Sequence, residues 1–155
     1  MAKEKARERE IVLSPQELIS LYENQRNILE TIVQQESAML NALSEIAGAE
    51  EALKEIEKAG SSPKILVLLG AGVFAEAQVS NKQVKSDIGT GILETTEIAK
   101  ALNHLENKKK NVSANLSALQ KKKQEVVAGL TGLEDAMRQM QAALAKKSTS
   151  PSSVS

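Results

Sequence analysis

Cysteine is absent from the 155 residues, which leaves no disulfide, thiolate zinc site or cysteine nucleophile. Tryptophan is absent too, and Tyr22 and Phe74 are the only aromatics. A compact core of this size ordinarily uses aromatics as bulky fillers. Their scarcity fits thin helical seams built from Leu, Ile, Val, Met and Ala. No excess of charge exists, because 20 Lys and Arg balance 20 Asp and Glu. That excludes the broad basic footprint of a nucleic-acid binder. No apolar run approaches membrane-spanning length. The first one, Ile11-Val12-Leu13, is three residues long and too short for a signal peptide. These absences predict one soluble, cytoplasmic domain with no membrane association.

What remains is dominated by heptads. Residues 1–13 open as a charged arm. Ser14-Pro15-Gln16-Glu17 then reads as a helix start, with Ser14 as cap, Pro15 at the first helical position and Glu17 as capping-box partner. From Leu18 and Leu21 to Ile56, positions spaced alternately by three and four are apolar in ten cases of twelve, with Gln25 and Gln35 as exceptions. Gly60-Ser61-Ser62-Pro63 ends the helix. A second repeat runs from Ile98 to Leu144, apolar at twelve positions of fourteen, with Lys109 and Lys123 as exceptions. Thr95 or Thr96 is the expected cap, with Glu97 near the first turn. The tail 148–155, STSPSSVS, reads as disordered.

Between the helices the period changes to two. Ile65 to Leu69, Val73 to Val79, Val84 to Ile88 and Gly91-Ile92-Leu93 read as four strands, making two β-hairpins over residues 64–93. Gly70, Gly72, Gly89 and Gly91 mark their turns. The fold class is therefore α+β and mostly α: a long antiparallel coiled-coil hairpin of helices over 14–147, with the two β-hairpins inserted. The favoured register sets Leu102 level with Ile56, Leu116 with Ala42 and Leu130 with Ile28. It places Lys123 opposite Gln35 and Lys109 opposite the small Ala49, which spares either ammonium from burial against isoleucine.

No motif carries catalysis. Gly70-Ala71-Gly72 and Gly89-Thr90-Gly91 are followed by strands and lack the GxGxxG or GxxxxGK context of phosphate loops. His104, the lone histidine, has no carboxylate cluster arranged with it as metal ligands. Lys108-Lys109-Lys110 and Lys121-Lys122-Lys123 lack interleaved aromatics and read as solvated faces. No nucleophile–base pair or carboxylate dyad is present, so neither an enzyme nor a cofactor is expected. The register instead makes Leu13, Leu18, Leu21, Met137, Met140 and Leu144 the free end of the coiled coil. Gly129 and Gly132 loosen that end. Flexible methionines at such a tip suit loose binding of many partners. At the other end, strands with unpaired edges invite pairing with another chain.

The layout of helix, two β-hairpins and helix resembles the α-class prefoldin subunit. Leu69-Gly70-x-Gly72-x-Phe74 is similar to that family's first hairpin. Asp87-Ile88-Gly89-Thr90-Gly91 followed by Glu94-Thr95-Thr96 is similar to its second hairpin and helix start. Leu68 stands where the family often has proline, which breaks no strand rule. The resemblance, over residues 15–145, implies an ATP-independent chaperone subunit. Two such chains and four β-class subunits would join into an oligomeric β-barrel platform through Ile65, Val67, Leu69, Gly70, Gly72, Phe74, Ile88, Gly89, Gly91 and Ile92. The six resulting coiled coils would hold non-native clients at their tips and deliver them to a group II chaperonin. The alternative reading is a structural coiled-coil scaffold or a filament-forming prefoldin-like subunit.

Overall fold

The computed structural model describes residues 13–89 and 91–148. The charged arm up to residue 12, with Ile11 and Val12, and the tail from 149 lie outside them. The element order is α1 (Pro15–Lys58), β1 (Lys64–Gly70), β2 (Val73–Gln78), β3 (Gln83–Asp87), β4 (Leu93–Glu97) and α2 (Ile98–Ser148).

The start of α1 is a full capping box. Glu17 Oε2 accepts from the Ser14 backbone N–H at 2.7 Å and from the Ser14 hydroxyl at 2.8 Å, while the Glu17 N–H donates to Ser14 Oγ at 3.3 Å. The helix ends at Lys58, a cation placed to suit the negative end of the helix dipole. Pro63 then accepts from the Val79 N–H at 3.0 Å, which closes the base of the first hairpin.

Strand β1 pairs antiparallel with β2, Ile65 opposite Ala77, Val67 opposite Ala75 and Leu68 opposite Phe74, with a bulge between Leu68 and Gly70. Gly70 meets Val73, so Ala71 and Gly72 alone form the loop, at φ 49° and 79°. Two successive positive φ values are the signature of a type I′ turn, whose twist matches the flanking strands. Leu68 continues the ladder.

The second hairpin departs from the sequence reading. β4 does not end at Leu93 but begins there, and Thr95 and Thr96 lie in it opposite Lys85 and Val84. The hairpins thus extend to residue 97, and neither threonine caps α2. Threonine serves as cap or as strand former, and the ladder with Gln83–Asp87 selects the strand. Asp87 Oδ1 accepts from the Gly89 N–H at 2.8 Å, and the Gly89 carbonyl accepts from Ile92 at 3.1 Å. Gly91, at φ 77°, supplies the left-handed residue of this turn.

Two compact units divide the chain. Gln35–Ala118 form one, which holds the hairpins; the described residues through Gln34 and from Leu119 onward form the other, the terminal unit. In the terminal unit Leu18, Ile32 and Val126 are buried; in the hairpin unit Ile46, Ile98 and Ala101 are. Among the described residues no side chain is completely enclosed, as thin seams without aromatic fillers require. Within the hairpin unit Lys109 Nζ reaches Glu50 Oε2 at 3.0 Å, beside the Ala49 chosen as its level partner. Ala49 and Lys108 also line one cleft with Leu53 and Leu105.

Candidate functional site

The first hairpin carries more apolar surface than two strands can cover. Leu66, 72% exposed, shares a face with Leu68 and Phe74, both also exposed. Lys64 and Glu76 rim that face with an exposed 2.8 Å ion pair worth little in stability. On the opposite face Val67 is exposed, while Ile65, Ala75 and Ala77 are half-buried. Ile65 lines a cleft with Ile56 and Pro63 of the same unit. Leu69 and Val73, next to the turn, are exposed as well. Each sheet has two strands only, so among the described residues every strand has one unpaired edge and the two sheets form no closed barrel within the chain.

The second hairpin turns one face inward. Thr96 is buried, Val84 and Ser86 are half-buried, and the latter two overlie Ala49, Leu53, Ala101 and Leu105 in a shared cleft. Ile88, Ile92 and Leu93 at its turn are exposed. The structure therefore sets every apolar residue predicted for the platform at the surface or half-buried, with Gly72, Gly89 and Gly91 in the turns and Gly70 closing β1. Leu66, Leu68, Val73 and Leu93, which the sequence reading did not single out, are exposed alongside them. A continuous apolar run in an isolated hairpin exposes side chains on both faces, which is the signal that includes Leu66 and Leu68.

The predicted tip residues lie in the terminal unit and do not behave alike. Leu144 is 59% exposed, Leu21 is exposed, and Leu13, Met137 and Met140 are half-buried. Leu18 departs from expectation: only 6% of its surface remains accessible, because it occupies the seam position that packs inward. Ile19, its neighbour, is exposed instead. Leu21, Ile28, Val126, Gly129 and Leu133 line a groove in this unit. Tyr22 donates its hydroxyl to Glu134 Oε1 at 2.9 Å. Acceptance by Glu134 and its negative charge raise the phenol pKa above its ordinary value. Helix α2 continues without a break through Gly129 and Gly132.

The lysine run of the hairpin unit is engaged within the chain. Lys109 meets Glu50, and Lys110 meets Glu106 at 3.0 Å, a contact that lowers the Glu106 pKa. Among the described residues no group of three His, Asp or Glu is placed to hold a metal ion, and no helix is long and apolar enough to cross a membrane.

Comparison with known proteins bears on this arrangement directly. The family described as prefoldin subunit matches residues 23–143, which include both hairpins and most of both helical repeats. The chain belongs to the prefoldin family. It is 35% identical over 66 residues to a prefoldin subunit alpha from Archaeoglobus fulgidus. That alignment covers 42% of this prefoldin chain and 48% of the relative, about half of its length. A cryo-EM structure of filamentous PFD from Methanocaldococcus jannaschii has the same fold, with a TM-score of 0.62 at 20% identity, over 78% of this chain and 98% of that one.

Proposed function

We propose that this prefoldin chain is a subunit of an ATP-independent chaperone. It assembles with β-class subunits through its hairpins, two copies with four partners, and holds non-native polypeptide at the terminal unit before delivery to a group II chaperonin. The observation that carries the reading is the exposed apolar surface of two small sheets whose edges are all open. Strand addition would satisfy the edges, and packing of Leu66, Leu68 and Phe74 would remove them from water, at roughly 25 cal/mol per Å² buried. No nucleotide-binding motif is needed, because each client contact is weak and several arms sharing one platform gain avidity together. The client surface is assigned to Leu21, Leu144, Met137 and Met140, with Ile19 and Leu13 beside them. Leu18 serves the seam.

The test combines native mass measurement with a client assay. Mixed with a β-class subunit, the chain should give a closed hexamer that suppresses aggregation of an unfolding client. Truncation after Gln139 combined with Leu21→Ser should leave the hexamer intact and sharply reduce that suppression. Undiminished suppression would move the client site away from the terminal unit. A second reading, open polymerisation, draws support from the shared fold with the filamentous protein and from the open edges. It predicts a ladder of masses in place of one closed species.

A further inference from the structure

The groove of the terminal unit is tied across at one end. Leu21 of α1 and Leu133 of α2 line it, and the residue after each, Tyr22 and Glu134, are joined to one another at 2.9 Å. Ile28 and Val126 lie two turns further along the same two walls, which enclose about 570 Å³. The bond between the walls sits at an exposed site, where water replaces a parted hydrogen bond at little net cost. It is therefore a fastening that can open and close. Leu18, 6% exposed while the walls are tied, is the apolar side chain their separation would uncover, since in a two-helix unit a buried α1 residue takes its cover from α2.

The wall that carries Glu134 is also the deformable one. Gly129 and Gly132 precede Glu134 by five and two residues, whereas the facing stretch of α1 from Leu21 to Ile28 has neither glycine nor proline. Glycine holds helical geometry less firmly than other residues that keep their backbone N–H. Packing does not demand it here, because a Cβ at Gly129 or Gly132 would meet nothing within 4 Å. What the pair contributes is backbone freedom and not room for a neighbour. A hinge and a fastening thus stand within two turns of each other on one helix. The lining suits an unfolded segment: Leu21, Ile28, Val126 and Leu133 are apolar, and the Gln25 carboxamide can both donate to and accept from a peptide backbone. We infer that Tyr22 and Glu134 form the latch of a hinged arm end: when the bond parts, α2 bends at Gly129–Gly132, and the groove widens to admit an apolar segment of non-native polypeptide. The inference rests on the reading that the terminal unit holds clients, and adds a closed state that must open first.

The full-length chain suits a direct test because Tyr22 is its only tyrosine and it has no tryptophan, so its emission reports this one bond. A phenol bonded to a carboxylate emits weakly, because the excited phenol passes its proton to the acceptor. Titration with an unstructured leucine-rich peptide that lacks Tyr and Trp should raise the emission as the latch parts. Tyr22→Phe removes the hydroxyl alone and should bind the same peptide about five-fold more tightly, since no bond has to break first. Adding Gly129→Ala and Gly132→Ala to that variant should cancel the gain, because the hinge no longer bends. Hydrogen exchange of the α2 amides beyond Gly132 should be several-fold faster in Tyr22→Phe than in the parent chain, with the hairpin strands unchanged. Binding with unchanged emission would overturn the latch while leaving the client reading in place. Equal affinity of Tyr22→Phe and parent, equal exchange, or a gain that survives both alanines would overturn it as well. If the peptide binds neither protein, the client reading and the gating role fall together.

Discussion

Ala71 is the only non-glycine among the described residues with a positive φ, at 49°, inside the two-residue turn of the first hairpin. A Cβ in that region costs about 1 kcal/mol. Ala71→Gly should therefore raise stability by roughly that amount, less the entropy glycine adds to the unfolded chain, as denaturant unfolding will show. The capping box gives a pH-dependent prediction. The Ser14 backbone N–H and then its hydroxyl hold the Glu17 carboxyl below its usual pKa. A carboxyl depressed in the folded state stabilises above its unfolded pKa and loses that contribution as pH falls through the folded value. Glu17→Gln should lower stability near neutral pH, with the deficit shrinking in acid. Unfolding midpoints of the two proteins from neutral to acid pH would measure it; a constant gap would refute the linkage. This cap was legible because all its determinants are local. Leu18 was not, since heptad spacing places a residue in the seam without telling how far its neighbours cover it.

At the scale of elements, the helices and the first hairpin follow from periodicity and turn residues alone. The second hairpin does not, because Glu94-Thr95-Thr96 satisfies both cap and strand preferences until Gln83–Asp87 provides a ladder. Burial of Thr96 follows from that ladder, and its hydroxyl has no hydrogen-bond partner among the described residues. Thr96→Val keeps the β-branched shape and removes the unpaired polar group, so stability should rise by about 1 kcal/mol. A decrease in the thermal midpoint would mean that the hydroxyl is satisfied in solution. In α2, a Cβ added at Gly129 or Gly132 would meet nothing within 4 Å. Gly129→Ala and Gly132→Ala should each stabilise by roughly 0.5–1 kcal/mol. If loosening near these glycines serves client holding, the double variant should unfold later in calorimetry yet suppress aggregation less.

For the whole molecule, assembly through the open-edged sheets as proposed would make stability depend on association. Val67→Pro removes a backbone N–H from β1 and should leave small species in native mass spectra when mixed with a β-class subunit. Retention of the full assembly would displace the interface from this hairpin. The exposed hairpin surface was legible in outline: apolar alternation marked the strands, and their number was too small to enclose them. Which copies or partners cover them was not, because complementarity belongs to two surfaces and one chain presents only its own.

β4 ends at Glu97 and α2 begins at Ile98, whereas Ala59–Pro63 separate α1 from β1. The chain therefore has a stiff joint on one side and a compliant one on the other. A pull along α2 reaches the second hairpin with no hinge to absorb it, and its ladder must bear the torque. The same pull along α1 is taken up by five residues of loop before it reaches β1. If the chain holds a client as proposed, force entering through it would be transmitted unequally, with α2 acting as the crank and α1 as the tether.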